Sequence, residues 1–408
     1  MKRDLIVFEE PHIDLYALAE VWSSLMQMLN RSGWLDLMGR NTLLQSFVMH
    51  NALPYLGEAV YPKPEFAIPA VSCKGGKLEV TEKEFLNDTF CQLRLFSCSR
   101  NSRGNILLVA PLSGHWSTML RDTITAFVGE YDVYLVDWKN VRDIPITSGT
   151  FSLSDYVELM RKYFNLLAEK GIFHVVAVCQ PTVPVAAALA LQSKCNGALP
   201  QSAVMMGGPI DTRLNPTQVN KFASRHDLLW FANNSTHPVP RKYAGAGREV
   251  LPGSLQLRGF LAVDPDRHTK AYRIYHDDLF TGNKEGAERH KIFYDEYFAV
   301  MDLPAEYFLE TIEVVFIEHL LPKGEWLVNG ERVSLGDIRG VKLLTIEGGL
   351  DTIVGAEQTH ALMHHTPQIK RKDKITRTVP GSGHYGLFAG SGFTQVIYPE
   401  VISPFLRN

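Results

Sequence analysis

Val175-Val176-Ala177-Val178-Cys179-Gln180-Pro181-Thr182-Val183-Pro184-Val185-Ala186-Ala187-Ala188-Leu189-Ala190 is the stretch on which the architecture turns. An unbroken apolar run ends at Cys179 and reads as a buried strand; the Ala-rich run after it reads as a helix. Pro181 and Pro184 suit a first helical turn, where the amide N–H has no intrahelical acceptor. A side chain at position 179 would therefore stand at the carboxyl edge of a sheet. It would face the positive end of a helix, which favours an anionic thiolate. The backbone N–H of Gln180 would point at a developing oxyanion. The generic strand-turn-helix site for a nucleophile is G-x-S-x-G. Here it reads Ala177-Val178-Cys179-Gln180-Pro181, with neither glycine, so the local pattern alone leaves open a buried cysteine that closes a core strand.

Working outward, Ile106–Ala110, Tyr131–Asp137, His174–Cys179 and Ser202–Met206 read as strands, and Lys342–Glu347 and Lys374–Val379 resume the series. Helical patterns separate them, at Ser117–Val128, around Tyr156 to Leu167, and at Val183–Leu191. Strands alternating with helices imply an α/β fold, a mostly parallel sheet covered on both faces. Residues 211–340 interrupt it with an aromatic-rich segment that includes Trp230, Phe260, Tyr272 and Tyr297, read as a mostly helical cap. Residues 1–100 read as a leader packed on the core, with a helix over 13–31 (Leu15, Leu18, Val21, Trp22, Leu25, Met28) and an irregular stretch at Pro62, Pro64 and Pro69. The expected division is thus a leader over 1–100, a core over 101–210 and 341–408, and a cap over 211–340.

Of the 408 residues 45% are apolar, enough for a sizeable core, and Lys+Arg 41 against Asp+Glu 44 gives a net charge of −3. That balance lends no support to nucleic-acid binding, which needs a basic surface. The opening Met1-Lys2-Arg3-Asp4-Leu5 reaches Glu9-Glu10-Pro11 too soon for a signal peptide, and no apolar run approaches a membrane span. The cysteines, Cys73, Cys91, Cys98, Cys179 and Cys195, are odd in number and irregularly spaced. They suggest neither a disulfide framework nor a metal site, and fit a reduced, cytoplasmic setting. No cofactor motif emerges. Gly381-Ser382-Gly383-His384-Tyr385-Gly386 has the form G-x-G-x-x-G, but too little chain follows for a βαβ unit.

Partners for Cys179 follow in order. Glu347-Gly348-Gly349-Leu350-Asp351 sets an acid on a Gly-rich loop just past a strand, and Gly381-Ser382-Gly383-His384 sets a histidine on the loop after the last strand. A thiol needs a base within reach to attack near neutral pH, and the base needs a carboxylate to hold its tautomer. Cys179, Asp351 and His384 have the required order and spacing. The loop Ala110-Pro111-Leu112-Ser113-Gly114-His115-Trp116, after the first strong strand, is placed to give a second oxyanion donor, the backbone N–H at or beside Ser113. His115 and Trp230 are candidates for substrate contact; for His115 a structural role is the competing reading.

These residues resemble the intracellular poly(3-hydroxybutyrate) depolymerases of the α/β-hydrolase superfamily. The matching pieces are Phe90-Cys91-Gln92-Leu93, Leu108 to His115, Leu120-Arg121-Asp122-Thr123, Val136-Asp137-Trp138, Val178-Cys179-Gln180-Pro181, Met206 to Asp211, and Gly383-His384-Tyr385-Gly386. The similarity runs from about residue 90 to the C-terminus. It implies an α/β-hydrolase fold with a Cys179-Asp351-His384 triad and no metal or cofactor. It also implies hydrolysis of stored polyhydroxyalkanoate, with the granule surface as partner and a cytoplasmic or granule-associated location. Two alternatives use the same residues differently: a polyester synthase, whose elbow usually keeps G-x-C-x-G, and a non-catalytic granule coat.

Overall fold

The computed structural model describes residues 62–73, 76–98, 102–263 and 265–407; the helix expected over 13–31 lies outside them. One nine-stranded sheet organises the chain: β1 (Ala70–Cys73), β2 (Gly76–Asn87), β3 (Cys91–Cys98), β4 (Asn105–Val109), β5 (Asp132–Trp138), β6 (Phe173–Val178), β7 (Ser202–Met206), β8 (Lys342–Gly348) and β9 (Lys374–Val379). Their order across the sheet is β1-β2-β3-β5-β4-β6-β7-β8-β9. From β5 to β9 every pairing is parallel, whereas β1, β2 and β3 join antiparallel.

Residues 70–98 therefore belong to the main sheet, and the boundary expected at residue 101 falls after its first three strands. The charges of Lys77, Glu79, Glu82, Lys83 and Glu84 hid β2, most of which is exposed. Only Gly76–Glu79 of β2 pair with β1, and a strand near the sheet's margin keeps charged side chains that discourage pairing with other molecules. The interior strands β4, β6 and β7 are buried at every position, as a parallel sheet covered on both faces requires.

Three helices, α1 (Arg121–Val128), α2 (Leu153–Ala168) and α3 (Thr182–Lys194), join the central strands. Ser152 caps α2 in a reciprocal box with Asp155. Helix α3 is buried through nearly its whole length, which explains its mostly apolar composition. Between β7 and β8 the chain leaves the sheet and forms, among other elements, α4 (Gly253–Val263), α5 (Pro265–Thr281) and α6 (Lys284–Phe298). Leu257, Tyr294, Tyr297, Phe298 and Val300 make a small core of their own there.

The chain lays down β4, moves to β5 on one side, then crosses to β6 on the other. The order reverses at β4, and in open α/β sheets ligands bind outside the carboxyl ends of the strands at such a switch point. The loop after β4 and the turn after β6 carry Ser113 and Cys179. With acid and base loops following β8 and β9, this is the α/β-hydrolase architecture.

Candidate active site

Cys179 sits between the end of β6 and the start of α3 with φ = 68°. Non-glycine residues avoid this left-handed region, and such strain concentrates at functional positions. The turn is locked on both sides. Cys179 N–H donates to Met206 O at 2.7 Å, and its carbonyl accepts from Thr182 N at 3.2 Å and Thr182 Oγ1 at 2.9 Å. Ala177 and Pro181 occupy the positions that glycines fill in the generic motif. The glycine that packing demands lies instead beyond the neighbouring strand: a Cβ on Gly208 would overlap the Thr182 side chain. The sharp turn is thus accommodated by a smooth backbone beside it.

Asp351 follows β8 on the loop foreseen from the sequence. Its Oδ1 accepts from the N–H groups of Ile353 and Val354, both at 2.9 Å, and its Oδ2 accepts from His384 Nδ1 at 2.7 Å. The carboxylate and imidazole are almost fully buried, with side-chain exposures of 2% and 7%. Acid and base loops are stitched together by Leu350 N–H donating to Ser382 O at 2.9 Å. Gly348 permits the approach, since a Cβ there would stand 2.6 Å from Ser382 O.

Burial works against charge on His384, but negative charge on Cys179 and Asp351 overrides it and lifts the imidazole to about 10. The arrangement favours the imidazolium form of His384. Cys91 is the contrast: its buried thiol lies 3.2 Å from Tyr163 Oη, and burial pushes it up to about 12. The helix-terminal setting distinguishes Cys179.

Cys179 and His384 line one cavity of ≈ 60 Å³ with Ser113, His115, Trp116, Phe260 and Tyr385. Ser113 thus lines the same cavity as the nucleophile candidate, and Gln180 begins the turn into α3. His115 reaches the cavity but is committed to the cap: its Nε2–H donates to Tyr297 O at 3.1 Å, and its ring stacks on Phe260 at 5.0 Å. Burial lowers it to about 4, so it is neutral. Met301 N–H donates to Gly114 O at 2.7 Å, adding a second tie between cap and loop.

Trp230 does not line this cavity. It stacks on His226 at 3.8 Å and packs against Phe222 and Phe231 on a separate part of the cap. Trp116, Phe260, Tyr385 and Phe388 supply the aromatic lining instead. Tyr385 could have been found as the neighbour of His384; nothing in sequence ranks Phe260 above the other cap aromatics. Among the described residues no cluster of His, Cys, Asp and Glu could hold a metal, and no helix is long and apolar enough to cross a membrane.

Residues 207–408 match the family described as PHB de-polymerase C-terminus. No curated protein matches the chain. Solved structures similar to it include a Bacillus megaterium epoxide hydrolase bound to an inhibitor (14% identity, 79% of this chain and 99% of that one, TM-score 0.47). Others are a Paleococcus ferrophilus monoacylglycerol lipase (11% identity, 81% and 99%, TM-score 0.45) and a Bacillus subtilis naproxen esterase (14% identity, 80% and 92%, TM-score 0.41). The chain has the α/β-hydrolase fold, and its residues 207–408 match the PHB de-polymerase C-terminus family.

Proposed function

We propose that this protein is a polyhydroxyalkanoate depolymerase that cleaves poly(3-hydroxybutyrate) esters through a Cys179-Asp351-His384 triad. One observation carries the reading: Cys179, strained at φ = 68° on the strand-to-helix turn, shares a cavity with a His384 that Asp351 holds at 2.7 Å. The family match over residues 207–408 supports ester hydrolysis and suggests the polyester as substrate.

The residues act as follows. Cys179 Sγ attacks the ester carbonyl carbon, and the negative charge moves to the carbonyl oxygen. The N–H of Gln180 and one at or beside Ser113 receive that oxyanion. The tetrahedral species collapses, the C–O bond breaks, and His384 gives its Nε2 proton to the departing alkoxide. A thioester remains on Cys179. Water, losing a proton to His384, attacks the thioester; the C–S bond breaks, and the acid leaves with the thiolate restored. Throughout, Asp351 keeps the proton on Nδ1 and stabilises the imidazolium. We place the protein in the cytoplasm at the granule surface.

The deciding experiment is release of 3-hydroxybutyrate from native amorphous granules by the wild type, Cys179→Ser and His384→Ala. The wild type releases acid and the variants lose nearly all activity; equal release by all three overturns the assignment. A parallel incubation with 3-hydroxybutyryl-CoA tests the synthase reading, which CoA release with polymer growth would establish.

A further inference from the structure

Asp137, near the carboxyl end of β5, is a buried charge that the mechanism leaves unused; its side chain is 1% exposed. Three groups from separate segments converge on it. The Lys63 ammonium donates to both carboxylate oxygens, at 2.9 and 2.7 Å, and Arg94 Nε donates to Oδ2 at 2.6 Å. The Ser117 hydroxyl donates to Oδ1. Stability alone does not call for such a cluster, since well-packed apolar residues in place of a buried ion pair are often as stable or more so.

Ser117 directly follows the loop after β4, residues 110–116. That loop begins at Ala110, whose carbonyl accepts from Trp138 Nε1–H at 2.8 Å and from Tyr156 Oη–H at 3.2 Å. Asp137 and Trp138, adjacent in one strand, therefore hold the loop at both ends. Successive strand residues face opposite sides of a sheet, so the two anchors restrain it from two directions. Between them lie Pro111, Ser113, His115 and Trp116, which with Ser117 line the Cys179 cavity. The Lys63 ammonium also stands 4.9 Å from the centre of the Trp116 ring, so the ion cluster backs that wall.

We propose that Asp137 and Trp138 are positioning residues that fix the loop after β4 so that the N–H at or beside Ser113 meets the oxyanion, Asp137 acting through the Ser117 hydroxyl. This rests on the reading of that loop as the second oxyanion donor. A donor held in place stabilises the developing charge without having to reorient during the reaction, and a loop free to shift loses that advantage. The effect falls on kcat and not on KM, because the substrate carries no oxyanion until the reaction is under way.

Ser117→Ala removes one hydrogen bond and leaves Asp137 paired with Lys63 and Arg94, so the fold is retained. On 4-nitrophenyl butyrate it lowers kcat by about tenfold, the worth of one hydrogen bond, with KM unchanged. Alkylation of Cys179 by iodoacetamide, followed by mass spectrometry, displaces iodide and forms no oxyanion, so its rate is unchanged. Asp137→Asn also lowers kcat, and adding it to Ser117→Ala costs no further kcat, because both act through one bond. Trp138→Phe, which keeps an aromatic ring and loses the N–H, shows the same split between turnover and alkylation. Unchanged kcat in Ser117→Ala overturns the proposal, as does a parallel fall of kcat and alkylation, or losses that multiply in the double variant. Should Asp137→Asn not fold, Ser117→Ala and Trp138→Phe decide. The probe is an activated ester, so failure of the polyester reading appears separately, as no acid release from granules. Cys179→Ala that hydrolyses the probe as fast as the wild type removes the nucleophile assignment and leaves the loop result standing.

Discussion

Thr123 Oγ1 donates to Phe388 O at 2.6 Å, with both residues buried and 265 positions apart. Beside it Asp122 Oδ2 accepts from Gly390 N at 2.6 Å. Helix α1 thereby grips the loop that carries His384, whose own carbonyl accepts from Leu387 N at 3.2 Å. The Leu120-Arg121-Asp122-Thr123 segment thus holds the His384 loop from outside the proposed triad. Thr123→Val leaves the Phe388 carbonyl unpaired at a cost of about 1–3 kcal/mol of stability. If the bond positions His384, kcat falls with little change in KM, and Thr123→Ser restores it. Steady-state kinetics and thermal melts of the pair check this; a stability loss with unchanged kcat counts against positioning.

Asp351→Asn is expected to retain the fold, since Ile353 and Val354 still find an oxygen acceptor. It can no longer hold the Nδ1 tautomer of His384 with a charge, and activity on an activated ester falls by about 10⁴-fold. A loss below tenfold would remove Asp351 from the orienting role.

Because His384 is lifted from 6.5 to about 10, it stays protonated in the folded protein where the unfolded chain has released the proton. Its contribution to stability is complete below pH 6.5 and is lost as pH rises through about 10. Turnover fails in the same upper window, for want of a proton for the leaving alkoxide. Alkylation of Cys179 by iodoacetamide needs only the thiolate and persists there. Parallel decline of alkylation and turnover would contradict the ion-pair picture.

His115 behaves in the opposite sense. Burial lowers it from 6.5 to about 4, so between these values the unfolded chain binds a proton that the folded one refuses. Stability falls as pH drops through that window. His174 and His290, also lowered to about 4, add to the slope. Melting temperatures of the wild type and His115→Gln across the window should show a shallower acid slope in the variant.

Gly208→Ala forces a methyl onto the Thr182 side chain at the start of α3. Overpacking at a site without slack costs about 1–3 kcal/mol, and here the displaced residue also bonds the Cys179 carbonyl. Both stability and activity should fall, and Gly208→Ala with Thr182→Ala should recover stability. Chemical denaturation of the single and double variants measures it.

Ser202–Met206 and Lys374–Val379 were read with the limits they have in the fold, the first as a fully buried apolar run and the second, only partly buried, from its β-branched residues. β2 was missed because a largely exposed strand carries charges that a sequence pattern assigns to loops. Trp230 and Phe260 were indistinguishable in sequence, each one aromatic among many in the cap. Which one meets the cavity depends on how α4 packs against the loop after β4.

By itself the sequence determined the strand-helix alternation, the turn at Cys179, and the chain order of Cys179, Asp351 and His384, since each depends on neighbours within a few residues. Tertiary structure alone decided that Gly208, just past β7, leaves the room that the Thr182 side chain takes at the start of α3. It also decided that His115 is spent on Tyr297 O while the Trp116 N–H is left unpaired. Hydrogen-bond partners are set by which distant segments meet, and that is a property of packing between elements far apart in the chain.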